Sequence, residues 1–293
     1  MAAFEDRYIT SADGLRLHYR DYPGPADQPP ILCLPGLTRN SRDFEPVAER
    51  FAGDWRIIAL DFRGRGGSDP DPQPERYMPR TYVADVLKLL DQLGIADAVF
   101  FGTSLGGIVT MVLASTDEER IAGAMINDVG PEVDQRGIER IRGFVGHPRR
   151  WDDWEAAARA FAEVQADVFP AWKHDQWLAF AHRVCREDQG GGIVLDYDMA
   201  ISQPFNEANE SSQFNLWPLL DGLKGKPVAV LRGELSDLFS QEVAERMVRE
   251  LGEQAELITV HNVGHPPALD EPESVAAMER LLGRVRTAVR TGA

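Results

Sequence analysis

The chain has 293 residues, a length that fits one large α/β domain or two ordinary ones. With 43% hydrophobic and 27% charged residues it has the balance of a soluble globular protein with a sizeable core. Its 47 acidic against 31 basic residues give a net charge of −16, which repels phosphate backbones and anionic lipid and so excludes nucleic acid and membrane surfaces as partners. Two cysteines, Cys33 and Cys185, exclude a disulfide framework and a cysteine-built metal site. Glu5 and Asp6 interrupt the start, so it does not read as a signal peptide. No apolar run reaches the roughly eighteen residues of a membrane span. The expectation is a reduced, cytoplasmic protein that needs no cofactor.

Short apolar runs alternate with segments of helical period. Leu15 to Tyr22 alternates like a strand, and Ile31–Leu34 and Ile57–Leu60 are apolar runs that end in turn residues. From Thr81 to Leu93, Val83, Val86, Leu87, Leu90 and Leu93 share one helical face, and Gly94 stops the helix. Ala98–Phe101 reads as a buried strand, followed by a glycine turn and a helix from about Leu105 to Ser115. Ala122–Ile126 repeats the strand pattern. Such an order predicts an α/β fold with a mostly parallel sheet flanked by helices.

The character changes at Gly130-Pro131. From there to about Trp217 the chain reads helical with no convincing strand, and five of the six tryptophans fall in that stretch. The alternation resumes with Val228–Leu231, a helix through about Gln241–Leu251, Leu257–Val260 and a final helix after Pro272. The predicted organisation is an α/β core of residues 1–130 and 217–293, interrupted by a helical cap of residues 131–216.

Gly102-Thr103-Ser104-Leu105-Gly106 sits between a predicted strand and a predicted helix. A serine at so tight a turn is flanked by small residues because the chain must pass closely. Its hydroxyl projects above the sheet edge, over a helix N-terminus whose N–H groups face any developing negative charge. At neutral pH that hydroxyl needs a base within hydrogen-bond reach. His265 is the best placed of six histidines, on a loop beyond the strand Leu257–Val260; His261, at the strand end itself, is its competitor. The base needs an acid to fix its tautomer. Asp237, past Val228–Leu231, is favoured over Asp128, which follows the preceding strand, with Glu234 behind both. The preference rests on the usual order of serine, acid and histidine, with the acid one strand before the histidine.

Leu34-Pro35-Gly36-Leu37-Thr38 supplies a turn in which Gly36 allows close approach and the Leu37 N–H faces the site. The Leu105 N–H would be the second oxyanion donor. The glycine-rich run from Asp61 to Asp69 fails the dinucleotide pattern at Asp69 and reads as a turn-rich loop.

The Gly102–Gly106 pentad, Leu34-Pro35-Gly36, the Asp61–Gly66 loop, Gly233…Asp237 and Gly264-His265 together resemble the α/β-hydrolase fold superfamily in order and spacing. The likeness covers about Tyr8 to Gly130 and Trp217 to the last helix, and the intervening block lies where that superfamily carries a helical cap. Two departures stand out. Pro35-Gly36 replaces the common His-Gly, and Ser104 occupies the place where haloalkane dehalogenases and epoxide hydrolases carry aspartate.

The resemblance implies a serine hydrolase that cleaves carboxylic esters of small to medium apolar acyl or aryl groups, with Ser104, Asp237 and His265 as its triad. Gly36, Arg39, Asp128, Trp154 and Trp177 are the expected pocket residues. The alternatives are a C–C bond hydrolase of ring-cleavage products, in which Arg39 binds a substrate carboxylate, and a ligand-binding receptor on the same fold. In each case the partner is a small molecule, with no metal.

Overall fold

Side chains at alternate positions of a strand face opposite sides, and here each set meets its own core. The computed structural model describes residues 2–207 and 215–291. Its first half contains β1 (Glu5–Thr10), β2 (Arg16–Tyr22), β3 (Ile31–Leu34), α1 (Glu45–Phe51), β4 (Ile57–Leu60), α2 (Pro79–Leu93), β5 (Ala98–Thr103), α3 (Leu105–Thr116) and β6 (Ile121–Asn127). Leu32, Leu34, Ile58, Leu60, Ala98 and Phe100 pack on one face of the sheet, and Ile31, Cys33, Ile57, Ala59, Val99 and Phe101 on the other. Every residue of β3, β4 and β5 is buried, as expected of a sheet covered by helices on both sides. The edge strand β1 has no such signature, because five of its six residues are exposed.

Between β6 and the next long strand the chain leaves the sheet. Helices α4 (Gln135–Arg142), α5 (Trp154–Gln165) and α6 (His174–Val184) are joined by β7 (Arg150–Trp151), β8 (Cys185–Glu187), β9 (Ile193–Leu195) and the short α7 (Ser202–Glu207). Asp134 and Asp153 cap α4 and α5 by accepting from the Arg136 and Ala156 N–H groups. The three strands pair antiparallel in the order β7-β9-β8, which corrects the expectation of a block without strands. Strands of two or three residues are too short to leave an alternation in the sequence. Positions 208–214 of the expected helical block lie outside the described residues.

The chain then returns through β10 (Val228–Gly233), α8 (Gln241–Leu251), β11 (Ala255–Val260) and α9 (Pro272–Thr291). The eight-stranded sheet has the order β1-β2-β4-β3-β5-β6-β10-β11, antiparallel only where β2 meets β1 and β4. The inserted segment is tied to loops that follow the carboxyl ends of β3, β10 and β11. Asn40 donates to the Arg183 carbonyl at 2.9 Å, the Asp134 N–H to the Leu238 carbonyl at 2.8 Å, and the Gly264 N–H to the Val168 carbonyl at 2.7 Å.

Near the carboxyl end of β4, buried His18 on β2 places Nδ1 2.7 Å from Asp61 and Nε2 2.9 Å from Asp6. Burial pushes the imidazole pKa down, but the two carboxylates outweigh it and the net direction is up. A raised folded-state pKa stabilises fully below the ordinary imidazole value, and that stabilisation is lost as pH rises through the folded-state value. His18→Gln should therefore cost more stability near pH 5.5 than near pH 9. Urea midpoints at the two pH values check this, and a gap that widened with pH would contradict it.

Candidate active site

All six residues of β5 are buried, and the strand delivers the chain to a single left-handed residue before α3 begins. That residue is Ser104, with φ 51° and ψ −112°. Its N–H donates to the Asn127 carbonyl at 2.9 Å, which ties the turn to the end of β6. A Cβ on Gly106 would fall 2.0 Å from the Leu34 carbonyl oxygen, and one on Gly102 would fall 2.5 Å from the Gly106 oxygen. The two glycines are thus demanded by the close packing of β3, β5 and α3. A left-handed non-glycine residue costs on the order of 1–3 kcal/mol, which the surrounding packing must offset.

The Ser104 Oγ lies 3.0 Å from His265 Nε2, and His265 Nδ1 lies 2.8 Å from Asp128 Oδ2. Asp128 is fully buried and His265 nearly so. The carboxylate also accepts from the Gly233 N–H at 2.8 Å and from the Ser236 hydroxyl at 2.7 Å. With Nδ1–H donating to a carboxylate, the tautomer leaves the Nε2 lone pair for the serine hydroxyl. The arrangement can take a proton from Ser104 and hold the resulting imidazolium.

Asp237, the acid favoured from the sequence, does not make this contact. It forms a two-bonded pair with Arg140 of α4, at 2.6 and 2.8 Å. Burial raises its carboxyl pKa, but the guanidinium more than offsets that and holds it below the ordinary value. Asp128 reaches His265 from a left-handed turn of its own, with φ 57°. Glu234 instead accepts from the Asn262 N–H at 2.8 Å, and His261 is exposed, 3.6 Å from Glu234.

The Leu37 and Leu105 N–H groups have no acceptor among the described residues. Leu105 is the first residue of α3, where helix geometry leaves amides unpaired. The Leu37 turn is braced from beneath by buried Arg65, whose Nε donates to the Leu37 carbonyl at 2.9 Å. The loop read as a plain turn therefore supports the oxyanion candidates. Gly36 is less crowded than expected, since a Cβ there would meet Arg39 Cγ at 3.4 Å, an ordinary contact.

A cavity of about 340 Å³ opens over Ser104 and His265. Gly36 and Arg39 line it as expected, but Asp128, Trp154 and Trp177 do not. Asp128 is buried behind His265. Trp154 stacks on His182 at 3.9 Å, and Trp177 packs edge-on among Phe169, Trp172 and Phe180. The tryptophan in the cavity wall is Trp151, beside Phe161 and Val164 of α5. Helical spacing identifies the apolar residues of the inserted segment, but not which of them face the cavity and which face each other.

Residues 31–278 match the family described as alpha/beta hydrolase. The chain belongs to the alpha/beta hydrolase family. A solved alpha/beta hydrolase from Novosphingobium aromaticivorans is 51% identical, covers 97% of this chain and 99% of its own, and superposes with a TM-score of 0.92. The 3-hydroxybutyrate-oligomer hydrolase of Cupriavidus necator is 32% identical over 92% of this chain and 93% of its own length. Epoxide hydrolase 4 of Mus musculus is 32% identical over 81% of this chain and 68% of its own. Among the described residues of this alpha/beta hydrolase, no group of three His, Cys, Asp or Glu side chains is placed to hold a metal, and no helix is long and apolar enough to cross a membrane. The sequence alone assigns no role to Ser236, Arg65 or Trp151: the first two meet partners distant along the chain, and only tertiary packing turns Trp151 into the cavity wall.

Proposed function

We propose that this hydrolase cleaves carboxylic esters through an acyl-enzyme on Ser104. The observation that carries the reading is the unbroken chain from Ser104 Oγ to His265 at 3.0 Å and from His265 to buried Asp128 at 2.8 Å. Ser104 Oγ attacks the ester carbonyl as its proton passes to His265 Nε2. The Leu37 and Leu105 N–H groups hold the oxyanion, and the alcohol leaves with the proton from His265. Water then attacks the acyl carbonyl, gives its proton to His265, and the free acid departs as Ser104 is reprotonated. Asp128 keeps the imidazole in its working tautomer throughout, the role first assigned to Asp237.

The segment from 131 to 216 acts as the cap, closing an apolar chamber whose volume suits a small to medium acyl or aryl group. The name of the Cupriavidus relative supports the reading, since an oligomer of a hydroxy acid is joined by ester bonds. Hydrolysis of p-nitrophenyl esters of graded acyl length tests it. The wild type should turn over short and medium esters, and Ser104→Ala should lose nearly all of that turnover and escape labelling by a fluorophosphonate. If wild type and Ser104→Ala were equally inactive on every ester, the reading would fail.

A further inference from the structure

The chain carries sixteen more negative than positive charges, yet among the described residues no aspartate or glutamate side chain lines the cavity over Ser104. Three arginines do: Arg39, Arg140 and Arg149. Two of them already have carboxylate partners. Arg39 pairs with Asp43 at 2.6 Å and lies over the Phe180 ring, and Arg140 is held by both oxygens of Asp237. Arg149 has no carboxylate partner among the described residues. It is an exposed residue in the wall of a cavity that is otherwise mostly apolar, with Tyr197 in the same wall. The Tyr197 oxygen accepts a long bond from the Gly146 N–H at 3.4 Å, and its own proton has no acceptor among the described residues. Burial raises the Tyr197 pKa, and the Gly146 N–H and the charges of Arg149 and Arg65 oppose that rise. A cavity with unopposed positive charge inside a strongly acidic protein draws anions away from the rest of the surface.

We propose that Arg149 and the Tyr197 hydroxyl bind a carboxylate on the substrate, remote from the ester carbonyl, so that the preferred substrates are esters bearing one free carboxylate. This rests on the ester reading above and adds to it the substrate class. A guanidinium can take both oxygens of a carboxylate, and a phenol can add a third hydrogen bond. Arg39 and Arg140, their charges already balanced, shape the wall and do not compete for the anion.

The test compares matched pairs. Mono-p-nitrophenyl adipate carries the carboxylate on the acyl side, and 3-butyryloxybutyrate carries it on the alcohol side; each is set against its methyl-capped neutral form. At least one charged ester should exceed its neutral form in kcat/KM by about tenfold or more. Arg149→Gln should remove that preference mainly through KM and lower kcat/KM for the charged ester far more than for its neutral form, and Arg149→Lys should partly restore it. Calorimetric titration of adipate into Ser104→Ala and into Ser104→Ala/Arg149→Gln reads the same site without chemistry, with binding at least tenfold weaker in the double variant. Neutral esters turned over as fast as charged ones, with adipate binding unaffected by Arg149→Gln, would overturn the proposal and leave the ester reading standing. Adipate binding that depends on Arg149, in a protein that hydrolyses no ester, would sustain the carboxylate site and sink the ester reading.

Discussion

Asp128→Asn should lower kcat on p-nitrophenyl butyrate by on the order of 10⁴, whereas Asp237→Asn should lower it by less than about tenfold. The difference follows from which carboxylate fixes the tautomer. Asp128 accepts from His265 Nδ1 at 2.8 Å while the Gly233 N–H and the Ser236 hydroxyl donate two further hydrogen bonds to it. An asparagine there can turn an N–H₂ toward Nδ1, which puts the ring proton on Nε2 and leaves no lone pair for Ser104. Because the asparagine is isosteric and the site is buried, the fold should survive, and KM should move little. Asp237 is bonded to Arg140, so its loss frees a guanidinium in the cavity wall and leaves the Ser104–His265 pair untouched. Steady-state kinetics on the two variants decide the matter: equal losses, or a larger loss in Asp237→Asn, would return the role to Asp237.

The same two aspartates mark how far the sequence could be read. Apolar runs such as Ile31–Leu34 and Ala98–Phe101 identified the central strands because parallel strands buried on both faces carry no polar interruption. The pentad around Ser104 was legible because its glycines answer to local crowding between β3, β5 and α3, which any strand–turn–helix of this kind must relieve. Asp128 and Asp237 both follow strands, and β6 and β10 are neighbours in the sheet, so chain order, which favoured Asp237, does not tell which carboxylate reaches His265. What separates them is Arg140, brought from the inserted segment to Asp237, and the left-handed turn that aims Asp128 at His265. Neither leaves a periodic trace. The tryptophans fail for the same reason: Trp151, Trp154 and Trp177 are equally apolar, and only tertiary packing sends the first to the cavity and the other two to His182 and Phe169.

Replacing the nucleophile should separate catalysis from stability. Ser104→Ala and Ser104→Gly should both lose activity by on the order of 10⁶, since either removes the attacking oxygen. Their stabilities should differ. Ser104 holds φ 51° and ψ −112°, a conformation that any residue with a Cβ adopts at a cost. Alanine keeps the Cβ and therefore the strain. Glycine removes it, at the expense of a more flexible unfolded chain, which opposes the gain by about 0.4–1 kcal/mol. With strain of about 1–3 kcal/mol relieved, Ser104→Gly should be the more stable variant by roughly 1 kcal/mol. Urea denaturation of the two inactive proteins measures this without interference from turnover. Equal midpoints would mean that the strain only matches the opposing chain entropy of about 0.4–1 kcal/mol, and a lower midpoint for glycine that the turn relaxes around an alanine and the left-handed serine stores little. A higher midpoint for glycine would show that the geometry presenting the hydroxyl to His265 is maintained against the stability of the fold, by the same β3–β5–α3 contacts that exclude side chains at Gly102 and Gly106.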